Sequence, residues 1–170
     1  MLNFGCGPVY TPGWHHLDRD PYPHLQPDQV VDITAGGLPY VDGFFGYVHT
    51  NHALQMLAES ELVPALAELR RVTEPGSTIR IVVPSLSKNI GRYLNPAKEP
   101  DLGLIESAGT RSGKFCVFLT WHSTARSLFT PAYLTELLVD AGWRWPAEVE
   151  PMTHPLDSRP DESLFMEAKA

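Results

Sequence analysis

The spacing of apolar and polar positions changes several times along the chain, and each change marks an element. Residues 1–4 are a short apolar start running into Gly5, residues 14–17 an extended run ending at Asp18, and residues 29–33 a third run around Asp32. Residues 44–50, rich in aromatic and β-branched side chains, predict a fourth strand. From 53 to 72 the period becomes helical, with Leu54, Leu57, Leu62, Leu66 and Leu69 recurring at helix spacing. Ser60 is the expected N-cap of its second part, and Pro64 is tolerable only near a first turn. Glu74-Pro75-Gly76 stops the helix, and residues 78–83 are apolar enough for a buried central strand. Residues 84–128, with Pro84, Pro96 and Pro100, carry no clear period. Thr130-Pro131 then reads as an N-cap and first-position proline; Leu134, Leu137, Leu138 and Ala141 share a face, and Gly142 ends the helix. Residues 148–152 and 163–168 are the last strand candidates.

Strands alternating with helices predict an α/β fold: a single Rossmann-like domain over residues 1–170, with a mostly parallel twisted sheet and helices on both faces. Ligands of such sheets bind outside the carboxyl ends of the strands. Gly5 to Gly7, Asp18, Asp32 and Thr50 to His52 all follow predicted strands and are expected on one edge. Only about nine residues separate the first two runs, fewer than a parallel crossover usually needs. With Pro8 and Pro12 among them, the first crossover is expected to be abbreviated to little more than one helical turn. The flank left thinly covered is a surface that a homodimer partner would fill. Residues 86–128 are expected to form a variable lid or acceptor-site segment within the domain.

Composition narrows the function. Thirteen basic against twenty acidic residues give a net charge of −7, the wrong sign for a phosphate backbone, so no nucleic-acid partner is expected. Two cysteines, Cys6 and Cys116, are too few for a disulfide framework or a cysteine-ligated zinc. No run approaches a membrane span and no leader-like segment opens the chain, so a cytoplasmic protein with no membrane partner is expected.

The strand ends carry the candidate chemistry. Glycines at 5 and 7 permit a tight turn and close approach of a ligand, although a plain turn needs them equally. Asp18 is placed to accept hydrogen bonds from ribose hydroxyls, or is simply a loop aspartate. Asp32 is placed to meet an adenine amino group, or to cap the turn that follows it.

Leu2-Asn3-Phe4-Gly5-Cys6-Gly7-Pro8, followed by Pro12-Gly13-Trp14 and Leu17-Asp18, resembles the start of small class I S-adenosyl-L-methionine (SAM) dependent methyltransferases of the type 11-like group. Asp32 with Leu38-Pro39-Tyr40-Val41-Asp42, then Glu68-Leu69-Arg70-Arg71-Val72 with Glu74-Pro75-Gly76, and the late Ala141-Gly142-Trp143, are similar to later stretches of that family in the same order. The resemblance implies SAM as cofactor and S-adenosyl-L-homocysteine as product. It implies a cofactor site of Phe4, Gly5, Cys6, Gly7, Asp18, Asp32, Ile33, Thr50 and Asn51, and methyl transfer to a small-molecule or carbohydrate-like acceptor. The chain departs from the family at Phe45-Gly46, at Leu54-Gln55-Met56 where Leu-Glu-His is frequent, and at Glu74-Pro75-Gly76-Ser77.

Histidine titrates near neutrality, which makes His52 and His122 the candidate catalytic residues. His49 is expected beside the same edge. Trp121, Phe129 and Tyr133 are candidate walls of an acceptor pocket, although aromatics before a helix more often belong to the core. His49 and His52 with His15 and His16 lack the fixed geometry of a metal site, and no metal is expected. Two further readings stay open: a SAM-binding protein without catalytic activity, and an NAD(P)-dependent oxidoreductase. The latter lacks a third glycine at Tyr10 and meets its acidic residue too early.

Overall fold

The alternating elements assemble into one seven-stranded sheet. A computed structural model describes residues 1–21, 27–95, 108–121 and 123–170. Its strands are β1 (Leu2–Phe4), β2 (His15–Asp18), β3 (Gln29–Val30), β4 (Phe45–Asn51), β5 (Thr73–Pro84), β6 (Arg144–Glu148) and β7 (Ser163–Lys169). Helices are α1 (Glu59–Val72), α2 (Leu86–Leu94), α3 (Arg111–Leu119) and α4 (Pro131–Asp140). The strand order is β3-β2-β1-β4-β5-β7-β6. β1 to β5 pair in parallel, whereas β7 runs antiparallel between β5 and β6. This is the mostly parallel α/β sheet expected from the sequence.

α1 and α4 bury their leucine stripes on one face. Leu62, Leu66 and Leu69 of α1 and Leu134 and Leu138 of α4 are fully buried and join Val48, Ile79, Ile81 and Leu164 in one core. Each such side chain contributes roughly 1.5–3 kcal/mol of transfer free energy. Thr130 caps α4 as expected, its side chain accepting from Tyr133 N. α1 differs: Ser60 is not its cap. The helix begins at Glu59, and Glu61 accepts the Ala58 N–H at 2.6 Å. Pro64 therefore falls in the second turn rather than the first. Residues 54–56 form a separate 3-10 turn.

Of the last two strands, β7 falls where residues 163–168 predict it, whereas β6 differs from expectation. β6 begins at Arg144, not 148, two residues after Gly142. It is an edge strand whose residues are mostly exposed, so no apolar alternation marks it. Pro146 is tolerated there because an edge strand can spare a donor.

The opposite face is polar. His16, Asn3, His49, Arg80 and Glu167 are successive cross-strand neighbours, the first four of them buried. Residues 5–13 make only turns, so the expected helical turn of the first crossover is not formed. Irregular chain covers this face instead. Tyr10 stacks on His16 and His154 on His49, both at 4.7 Å between centroids. Asp157 receives Arg80 through Nε at 2.9 Å and Nη2 at 2.7 Å. Lys88 of α2 lies over Phe165 of β7. The chain's own 149–162 connection thus covers this face over β4 and β5. Among the described residues, no helix is long and apolar enough to cross a membrane.

Candidate functional site

Parallel register brings the carboxyl ends of β1, β2 and β4 to one edge, with Phe4 beside both Leu17 and Thr50. Gly5 follows with φ +64°, and a Cβ there would sit 2.2 Å from Ala53 Cβ. The loop therefore touches the chain leaving β4 at a spacing only glycine permits. Gly7 has φ +55° and donates its N–H to Asp18 Oδ2 at 2.7 Å, while Asp18 Oδ1 accepts from Asp20 N at 3.2 Å. Asp18 thus shapes the glycine loop from the next strand. Burial and the Asp18 charge push the Cys6 thiol up to about 11, which leaves it unreactive and packed.

A cavity of about 930 Å³ opens on this edge, lined by Phe4, Gly5, Cys6, Gly7, Asp18, Asp32, Ile33 and Asn51. Eight of the nine expected cofactor residues thus share one wall. Thr50 does not join them: it is fully buried on the helix-covered side of the strand, because alternate β4 side chains point to opposite faces. Asp32 Oδ1 accepts from Thr34 N at 2.9 Å and Thr34 Oγ1 at 2.7 Å. These bonds cap the turn that follows and hold its carboxyl below the usual range. Arg126, Ser158 and Arg159, which no sequence signal marked, complete the wall. Asn51 reaches this distant segment directly, its Nδ2 donating to Leu156 O at 2.6 Å and Ser158 Oγ at 2.9 Å.

A second cavity of about 180 Å³ adjoins the first, and His52, Met56, Trp121 and Arg159 line both. His52 has φ +54°, a strained value of the kind that collects at functional sites. Its Nε2 is 2.8 Å from Ser163 Oγ, and burial pulls its pKa down to about 4. The ring is therefore neutral at neutral pH. His122 lies outside the described residues, as do residues 96–107 of the expected lid segment. Of the expected aromatic walls, Trp121 lines both cavities, whereas Phe129 is fully buried in the core and Tyr133 packs against it.

His49 is not at the edge. It is fully buried, its Nε2 3.2 Å from Asp157 Oδ1, and burial brings it down to about 4. His49, His154 and Asp157 have ligand atoms within 4.8 Å of one another. However, both Asp157 oxygens already hold the Arg80 guanidinium and the two rings are stacked, so the group reads as packing. Burial opposes the charge of Asp157, but the bonds from Arg80 and His49 keep its pKa below the ordinary value. His15 and His16 are engaged elsewhere, with Tyr40 Oη at 2.6 Å and Asp28 Oδ2 at 3.3 Å.

No protein-family model matches the chain, and no curated protein matches it in sequence. Solved structures do. A SAM-dependent methyltransferase from Archaeoglobus fulgidus has a TM-score of 0.61 at 14% identity, covering 99% of this chain and 85% of that one. One from Mesorhizobium loti has a TM-score of 0.59 at 16% identity, covering 99% and 89%. A putative methyltransferase from Haloferax volcanii, solved in complex with the Trm112 methyltransferase activator, has a TM-score of 0.59 at 16% identity, covering 99% and 81%. Two contiguous cavities at the strand ends, bounded by a glycine loop and strand-end aspartates, thus sit on a backbone shared along almost its whole length. The chain has the fold of the class I SAM-dependent methyltransferases.

Proposed function

We propose that this protein is a SAM-dependent methyltransferase acting on a small-molecule or carbohydrate-like acceptor. The observation that carries the reading is the pair of cavities meeting at His52: a large one with backbone glycines and carboxylates on its wall, and a small, mostly apolar one beside it. The residues suit the cofactor. The volume lies within the range of small-molecule sites, Gly5 packs against Ala53 where any side chain would clash and so keeps the loop at the cavity edge, and Asp18 and Asp32 offer acceptors for hydroxyl and amino hydrogens. Bound there, SAM supplies an electrophilic methyl group.

The chain's own residues then bind, orient and exclude water. Gly5 and Gly7 let the backbone approach the cofactor, with Phe4, Cys6 and Ile33 beside it. Asp18 serves the ribose, Asp32 the adenine, and Asn51 the region next to the reacting centre. Met56 and Trp121, shared by both cavities, keep the junction dry and hold the two reactants in line, which can supply much of the rate. His52 takes the acceptor's proton. With a pKa near 4 it is a weak base, suited to a proton released after the new bond has formed, when the methylated atom is cationic and acidic.

Calorimetry with SAM, S-adenosylhomocysteine, NAD and NADP tests the reading. SAM and its product are expected to bind, and binding of a nicotinamide cofactor alone would overturn it. The absence of helix among residues 5–13 leaves no helix N-terminus there for a dinucleotide pyrophosphate. A SAM-binding protein without activity is distinguished by whether hydroxyl or amine acceptors drive release of S-adenosylhomocysteine.

A further inference from the structure

The small cavity combines an apolar body with a cation where it opens to the larger one. Its volume of about 180 Å³ is close to that of an apolar cavity of about 150 Å³ that admits benzene. Met56, Leu86, Phe118, Leu119 and Leu128 line it, a wall suited to hydrocarbon rather than to a heavily hydroxylated body. Arg159 stands at the junction and lines both cavities.

The neighbours of the guanidinium fix its place. Its Cζ lies over the Trp121 ring, 5.2 Å from the centroid, and Nη1 donates to Glu162 Oε1 at 3.4 Å. Burial, and then the Arg159 charge, lower the pKa of His52. Trp121, Glu162 and His52 all line the small cavity, so the charged head of Arg159, and not only its stem, stands on that wall. The side chain is 46% exposed, which leaves it within reach of a ligand. Its bond to Glu162 is long, joins residues three apart on the surface and contributes little to stability. That bond uses one of five N–H donors. Glu162 is itself shared, its Oε2 accepting from Arg92 Nη1 at 3.2 Å. The other two arginines on the large cavity's wall are closer to their carboxylates, Arg19 to Asp20 at 3.0 Å and Arg126 to Glu61 at 2.9 Å.

The backbone marks the same junction. His52, Met56, Trp121 and Arg159 are common to both cavities, and three of these four hold positive φ: His52 +54°, Trp121 +44° and Arg159 +54°. Such strain persists only where the surrounding structure imposes it, and it gathers at ligand clamps.

A guanidinium with donors to spare beside an apolar cavity suits a carboxylate, whose two oxygens match its planar fork. We infer that the small cavity is selective for a small apolar carboxylic acid, whose hydrocarbon body fills the apolar wall and whose carboxylate pairs with Arg159. The inference rests on the transferase reading only in taking this ligand as the methyl acceptor.

The experiment measures the affinity of benzoate and benzamide by ligand-observed NMR titration on protein saturated with S-adenosylhomocysteine, whose own binding is measured first. Benzoate presents a ring and a carboxylate, and benzamide matches its size without the charge. The wild type is expected to prefer benzoate by about tenfold, within the range of one charge-assisted hydrogen bond. Arg159→Gln is expected to remove that preference and leave benzamide affinity unchanged, a pattern that loss of the fold would not give. Ala125→Phe, which fills the cavity from a residue on its wall, is expected to abolish binding of both rings while S-adenosylhomocysteine still binds. The inference is overturned by no wild-type preference for benzoate, by preference retained in Arg159→Gln, or by ring binding retained in Ala125→Phe. If Arg159→Gln weakens S-adenosylhomocysteine with the benzoate preference intact, the guanidinium serves the cofactor's carboxylate and the inference falls. If Arg159→Gln does not fold, the wild-type preference and Ala125→Phe decide it. Failure with S-adenosylhomocysteine bound refutes this inference alone; failure of S-adenosylhomocysteine to bind refutes the transferase reading instead.

Discussion

Gly5 is the position where the smallest substitution has the largest calculable effect. In Gly5→Ala the new methyl would lie 2.2 Å from Ala53 Cβ, whereas ordinary contact begins at 3.4 Å. The ends of β1 and β4 would have to separate by more than an ångström, and the sheet pairing of Phe4 with Thr50 resists that movement. Overpacking of this kind costs about 1–3 kcal/mol. Holding alanine at φ +64° adds about 1–2 kcal/mol. The expected destabilisation is therefore about 2–5 kcal/mol, read as a shift in urea midpoint at unchanged slope. The two causes separate in a double-mutant cycle. Ala53→Gly removes the opposing methyl at a cost of about 0.5–1 kcal/mol, so adding it to Gly5→Ala should recover the overpacking share and leave the backbone share. S-adenosylhomocysteine affinity should follow the same pattern. A Gly5→Ala protein within about 0.5 kcal/mol of wild type, or a cycle with no coupling, would refute the reasoning.

Asp18→Ala removes the acceptor of Gly7 N and Asp20 N; SAM affinity should weaken by about tenfold or more, and an unchanged dissociation constant in calorimetry would remove Asp18 from the site. Asp157→Asn removes one of the two carboxylates paired with the buried Arg80 and leaves Glu167 as the other; it should cost about 1–3 kcal/mol in denaturant unfolding, so an unchanged stability would show the Asp157 pair to be dispensable. Stability should also fall as pH drops from 6.5 towards 4. His49 and His52 are held neutral, with pKa brought from 6.5 to about 4, so in this window the unfolded chain binds protons that the native chain refuses. The limiting slope is about 1.4 kcal/mol per pH unit for each ring. Asp157, held below its ordinary pKa, loses its contribution only at lower pH. A flat stability profile between pH 6.5 and 4 would contradict the burial of both rings.

How much was legible follows from where each signal lies. The glycine loop, Asp18 and Asp32 were readable because each stands at a strand end: Gly5 directly after β1, Asp18 closing β2 and Asp32 two residues past β3. Parallel pairing then aligns such ends without further information. α4 was readable because Thr130, Pro131, the leucine stripe and Gly142 are all local features. Thr50 was misassigned for want of one parity: β4 residues alternate faces, and only packing against α1 shows which face is which. β6 was misplaced because an exposed edge strand has no apolar period to read.

The sequence by itself therefore determined the order of elements, the α/β class and the residues that stand at the carboxyl ends of the strands, because these depend on local periodicity and turn chemistry. Tertiary structure alone decided the rest. Asn51 meets Leu156 and Ser158 from more than a hundred residues away, and Arg80 finds Asp157 across 77 positions. Arg126 and Arg159 arrive at the cavity on irregular segments. Such features depend on which polar groups share a buried space, and that is set by the path of the whole chain, not by the spacing of residues within any one element.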